Sequence, residues 1–181
     1  MLIKTVGLAI PIYAMQSISL PKTICERMDS RIRKFWWGAR NDDSWPLCLW
    51  TWESICTPKT CGGLGYQKSI DTNRALLAKW CWSLLFGHSS LYLSILRGKY
   101  LRNNSFLMSS VHPSDFLFWK GILSIEPLVL RGACIQVRDG VRVDFWIHPW
   151  VPNHPTFRPV PICPRSTGSM VVSNLLKLNG G

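Results

Sequence analysis

The chain has 181 residues, with 21 Lys and Arg against 10 Asp and Glu, a formal charge of +11. Apolar residues make up 47% and ten residues are tryptophan, which excludes wholesale disorder and leaves material for one domain or two small modules. The positive surplus favours phosphate-rich partners or anionic surfaces, through Coulomb attraction and counterion release; the alternative is a basic surface whose acidic partner region lies elsewhere.

The start, "MLIKTVGLAIPIYAMQSISLP", imitates a secretory leader, but Pro11 breaks the apolar run and no small-x-small cleavage site follows. No apolar stretch approaches the roughly 20 residues of a membrane span. Seven cysteines, at 25, 48, 56, 61, 81, 134 and 163, are odd in number and irregularly spaced. That pattern argues against a secreted disulfide framework, and no Cys-x-x-Cys pair suggests a zinc knuckle. Reduced thiols in a nuclear or cytoplasmic protein are the simpler expectation, with no membrane partner.

The first predicted helix opens at a Thr23-x-x-Glu26 capping box. Within it Ile24, Met28, Ile32 and Phe35 recur at helical spacing and predict a buried stripe. Arg27, Arg31 and Lys34 fall on a flank of that stripe. Such a flank is either a solvated basic face or an edge that tracks phosphates. Trp36 and Trp37 end the helix and Gly38 caps it. A loop-like segment with Trp45, Trp50 and Trp52 leads to Gly62-Gly63-x-Gly65, which lacks the lysine and context of a nucleotide loop and reads as a tight turn.

A helix over about Asp71–Phe86 follows, with Leu77, Trp80, Cys81 and Leu84 on one apolar face and Ala75, Ala78, Trp82 and Leu85 on another. Apolar on nearly all sides, it predicts burial inside a domain or between domains. Gly87 stops it, and "SSLYLSILRGKYL" predicts a second helix capped by Ser89 or Ser90. Ser114 caps a further helix, "DFLFWKGIL", and Pro127 starts a short successor, "PLVLRG". In "CIQVRDGVRVDFW" the period changes to two, and Asp139-Gly140 between the alternating runs predicts a β-hairpin. A proline-dense, linker-like segment and a terminal helix, "VVSNLLKLN", complete the chain. The predicted fold class is mainly α with a small C-terminal β-hairpin.

Catalytic constellations are not visible. Asp42 and Asp43 are adjacent in a loop, whereas two-metal chemistry needs rigid carboxylates holding ions about 4 Å apart. His148 and His154, with Cys163 beyond, lie among prolines that define no metal geometry. No catalytic residue, metal site or cofactor is assigned.

The stretches "LIKTVGLAIPIYAMQSISLPKTICERMDSRIRKFWWG", "LWTWESICTPKTCGGLGYQKSIDTNRALLAKWCWSLL", "LYLSILRGKY" and "RVDFWIHPWVP" carry a resemblance across nearly residues 2 to 152. In them the chain resembles plant non-LTR (LINE-type) retrotransposon reverse transcriptases, in the region after the polymerase core and before the zinc-binding module. Proteins of this kind carry ribonuclease H or reverse-transcriptase zinc-binding-domain descriptions. The resemblance implies a helical thumb and connector, with the catalytic aromatic-x-Asp-Asp of the RNA-directed DNA polymerase upstream and the Cys/His zinc module downstream. It divides the chain into a thumb-like segment (1–40), a tryptophan-rich loop and helical connector (41–110), a helix plus hairpin (111–152) and a proline-rich linker (153–181). At His148 the family usually has Asp.

The function expected is that of a non-catalytic fragment with nonspecific affinity for RNA or DNA, through Arg27, Arg31 and Lys34. The alternatives are a degenerate transposon-derived product without independent function, and a protein-interaction module built on exposed aromatics.

Overall fold

The computed structural model describes residues 11–38, 49–87, 90–102, 105–141, 143–161 and 170–178. Trp45, the Asp42-Asp43 pair, Cys48, Ser89 and Cys163 lie outside the described residues. The described elements are α1 (Ile12–Ser17), α2 (Lys22–Trp36), α3 (Trp52–Cys56), α4 (Ser69–Leu85), α5 (Leu91–Tyr100), α6 (Leu117–Leu130) and α7 (Val172–Leu178), with short 3-10 turns at Lys59–Cys61 and Phe106–Met108. The chain divides into two compact units, Met1–Trp80 with His112–Ile122, and Cys81–Val111 with Leu123–Gly181. No helix among the described residues is long and apolar enough to cross a membrane.

In unit 1 the polar side chains set the geometry as firmly as the apolar ones. Asn73, 3% exposed on α4, donates from Nδ2 to the carbonyls of Met15 (2.7 Å) and Ile18 (2.9 Å). Its Oδ1 accepts from the Leu20 amide at 2.9 Å. One amide thus satisfies three backbone groups where α1 ends and the chain turns toward α2, of which the Met15 carbonyl is the buried one. Met15, Leu77, Trp119 and Ile122 fill the apolar space, and Trp80 meets Phe118 edge to face at 5.8 Å.

A second cluster joins Trp52, Ile55 and Tyr66, with Ile32, Trp37, Cys56 and Leu64 packed against it. The Thr51 hydroxyl caps α3 by accepting the Ser54 amide at 3.2 Å. The glycine turn brings Tyr66 back to this cluster. Gly62 and Gly65 take positive φ of 83° and 63°, the left-handed conformation glycine adopts without strain. A Cβ on Gly63 would overlap the Thr57 carbonyl, so the backbone approaches more closely than any side chain permits. The expected tight turn is present.

Helix α2 differs from its prediction in two ways. It starts at Lys22 after Pro21, with no side-chain cap, so Thr23 and Glu26 form no capping box. Its buried residues are Cys25 and Asp29, while Ile24 is 44% and Phe35 63% exposed. The predicted stripe is rotated by about one residue, or roughly 100°. The cause is Asp29, whose carboxylate accepts from the Ser69 amide (3.0 Å) and hydroxyl (2.6 Å). Charge-assisted hydrogen bonds contribute about 1.5–3 kcal/mol each, enough to outweigh the partial burial of one isoleucine. The end of the helix is as expected: Trp37 follows the last turn, and Gly38, at φ 75°, donates to the Phe35 carbonyl.

Helix α4 buries the predicted face at Leu77, Cys81 and Leu84, but its other apolar face is only partly covered: Trp82 is 44% exposed and stacks on Phe86 at 4.2 Å. Helix α5 begins as expected, with the Ser90 hydroxyl accepting the Leu93 amide. In unit 2, Leu93, Leu96, Phe106, Leu123, Ile125 and Val172 form the core.

Three expectations in the C-terminal half are overturned. Ser114 is engaged with His112, and Pro127 lies inside one continuous α6 instead of starting a new helix. Proline costs the Leu123 carbonyl its partner, but Trp119, Ile122, Leu123 and Ile125 are all buried along the same helix, which outweighs one hydrogen bond. The β-hairpin is also absent: no strand occurs among the described residues. Asp139-Gly140 does turn, with Gly140 at φ 68°, but the flanking runs pair elsewhere. Ile135 donates to Pro149, while Phe145 donates to Met170 and Val143 accepts from Val172. The Asp144 carboxylate accepts the Trp146 and Ile147 amides, curling the chain where the second strand would continue. Among the described residues a single antiparallel bridge, Asp144 to Val171, remains.

Candidate nucleic-acid interface

Because Asp29 turns inward, the opposite side of α2 is left outward. Arg27 and Arg31 are exposed and Lys34 is half-buried. They sit at i, i+4 and i+7, spacings that stack side chains along one helix face. An open groove runs between them, lined by Ile24, Arg27, Met28, Ser30, Arg31 and Lys34. Among the described residues no carboxylate lines this groove, and neither Arg27 nor Arg31 forms an ion pair. The pairs that do form, Lys22–Glu26 at 3.6 Å and Lys68–Glu53 at 3.9 Å, lie off this face. Three cations and a hydroxyl bordered by Ile24 and Met28 can bind phosphate oxygens while the apolar atoms contact sugar or base edges. The structure therefore brings all three predicted site residues together.

Sequence reading missed Asp29, which fixes this orientation. The available signal was its spacing: Cys25, Asp29 and Ile32 lie on one helical line, and a lone acid on that line in a basic helix needs a partner.

The other described candidate groups make local contacts. Among the described residues no three His, Cys, Asp or Glu gather where they could hold a metal ion. Burial pushes the Cys81 thiol up to about 12 and the Cys56 thiol up to about 11, which suppresses the thiolate form. His154 Nδ1 pairs with the Thr156 hydroxyl at 2.9 Å. His148 Nδ1 accepts the Asp144 amide at 2.8 Å, so the histidine closes the same local turn that replaces the hairpin.

Burial, aided by nearby Arg158, lowers the His148 pKa from its ordinary 6.5 against the pull of the Asp144 carboxylate. The folded pKa being below the unfolded one, the unfolded chain binds more protons, and stability falls as pH drops below about 6.5. Glu126 acts oppositely: burial raises its pKa, so it opposes folding increasingly as pH rises through its titration range. Denaturant midpoints taken between pH 7.5 and 5.5 should therefore decline, and His148→Asn, which keeps an acceptor but does not titrate, should flatten the decline. An unchanged slope in the variant would assign the pH dependence to other groups.

Two comparisons bear on these features. The chain is 28% identical over 157 residues to an uncharacterized mitochondrial protein of Arabidopsis thaliana, covering 84% of this chain and 99% of that protein. It is 32% identical over 159 residues to another Arabidopsis thaliana protein, named "Putative ribonuclease H protein", covering 85% of this chain and 25% of that one. The chain thus matches nearly the whole length of one plant protein and a quarter of the other. No family model matches the chain, and no solved structure matches it.

Proposed function

We propose that this chain is a non-catalytic module derived from a plant retrotransposon reverse transcriptase, and that it binds RNA or DNA without sequence preference through the outer face of α2. The observation that carries the binding assignment is the groove of Arg27, Arg31 and Lys34, with no carboxylate among its described lining residues. On a chain of formal charge +11, such a groove is where phosphates gain most. The origin is supported by the four sequence stretches above and by the similarity to a longer protein with a ribonuclease H name. The module's recurrence as nearly the whole of another plant protein fits a unit that persists apart from polymerase domains.

The test is fluorescence anisotropy with two labelled oligonucleotides of unrelated sequence at low salt. Comparable affinities, falling together as salt rises, are expected. Absence of binding at low salt would overturn the reading. Template-dependent primer extension, or cleavage of RNA in an RNA–DNA hybrid, would replace it with an enzymatic one.

A further inference from the structure

The inward turn of Asp29 leaves two apolar side chains of α2 in solvent, Ile24 at 44% and Phe35 at 63% exposure. At about 100° per residue, Ile24, Arg27, Arg31, Lys34 and Phe35 fall within an arc of about 100°. Glu26 and Asp29, the two acids of α2, fall on the other side of the helix. Along the axis Arg27, Arg31 and Lys34 follow one another at about 6 and 4.5 Å, and Phe35 lies about 1.5 Å beyond Lys34. An exposed phenyl ring thus stands at the end of a row of cations, on a helix face that carries no acid. The next ring is placed differently: Trp36 meets Tyr66 edge to face at 5.5 Å.

The charges decide what such a ring is for. A second copy of the chain docked on this face would set Arg27, Arg31 and Lys34 against their own counterparts, and the face has no carboxylate to pair them. Duplex nucleic acid answers the cations but not the ring, because its bases are stacked on one another and a side chain reaches their faces only by prising a step apart. A single strand answers both, with phosphates for the cations and an open base face for the phenyl ring. Proteins that hold single strands without sequence preference combine those two contacts. We infer that the α2 face takes single-stranded nucleic acid, with one unpaired base lying on Phe35 while the neighbouring phosphates engage Arg31 and Lys34. The inference deepens the phosphate-binding proposal by naming the form of the strand, and it rests on that proposal.

The full chain would be titrated with two labelled strands of equal length and charge, one single-stranded DNA and one carrying only abasic tetrahydrofuran sites. The base-bearing strand should bind roughly tenfold tighter, the scale of one base stacked on an aromatic side chain. Phe35→Leu, which keeps an apolar side chain and removes the ring, should erase most of that ratio and leave abasic-strand binding unchanged. Phe35→Trp, which restores a stacking surface, should keep the ratio or raise it. Because Phe35 is mostly exposed, both variants should melt with the wild type. Equal binding of the two strands by the wild type, or a ratio that Phe35→Leu leaves intact, would overturn the inference and leave the phosphate groove standing. Dimerisation abolished by Phe35→Leu, with the strand ratio unchanged, would assign the ring to a second copy and overturn it as well. Failure of both strands to bind would overturn this inference and the phosphate-binding proposal together.

Discussion

Asn73→Asp is expected to destabilise unit 1 by roughly 3–5 kcal/mol, the upper range for a single substitution. The Nδ2 group now serves the Met15 and Ile18 carbonyls, and a carboxylate has no hydrogen to offer either. An orphaned buried carbonyl such as that of Met15 costs about 1–3 kcal/mol, the part-buried Ile18 carbonyl adds less, and the new charge would itself lie against those two oxygens. The bond to the Leu20 amide would survive, since Oδ1 is retained. Asn73→Ala removes all three bonds without burying a charge, so it should cost less than Asp. Arg74→Gln, one position along on the exposed side of the same helix, should stay within about 0.5 kcal/mol of wild type. Urea denaturation followed by far-UV circular dichroism gives all three values. A cost below about 1 kcal/mol for Asn73→Asp would mean that Asn73 does not hold the α1–α2 connection.

Elements governed by neighbouring residues were legible in the sequence. Helix α4 runs over Ser69–Leu85 against an expected 71–86, Ser90 caps α5, and α7 lies within the terminal stretch predicted helical. The glycine turn was legible because positive φ is a property of single residues. What the sequence hid depends on distant partners. The rotation of α2 is set by Ser69, forty positions away, through a bond to Asp29 that no periodicity in residues 22–36 reveals. The hairpin failed for the same reason: Asp139-Gly140 makes its turn, but Met170 and Val172 compete for the second run and Pro149 for the first. Proline 127 misled in the opposite sense, because the burial along α6 that outweighs its missing N–H is a tertiary quantity. Of the candidate site, the three basic residues were readable from their spacing. That they share one groove with no acid among its described lining residues was not, since it follows from the rotation that Asp29 imposes.

Replacing Arg27, Arg31 and Lys34 together by Gln should flatten the dependence of log affinity on log salt by roughly 2–3 units. Each phosphate contact contributes a slope of about 0.7 on single strands and 0.9 on duplex DNA, so three contacts sum to that range. Between 50 and 200 mM salt, the wild type should therefore lose roughly 20- to 40-fold more affinity than the variant. Folding should survive, because Gln is a good helix former and the bonds that hold α2, from Asp29 to Ser69, are untouched. The weakening should be equal on unrelated sequences, since phosphate contacts carry no base information. Anisotropy titrations at four salt concentrations, on two oligonucleotides, yield both slopes. Replacing Lys22 and Lys68, which already face Glu26 and Glu53, provides the matched control: it removes two cations but should change the slope little. If the control variant flattens the slope as much as the triple variant does, net charge rather than the α2 face is responsible for binding. If the triple variant leaves the slope unchanged, the three side chains form only a solvated flank.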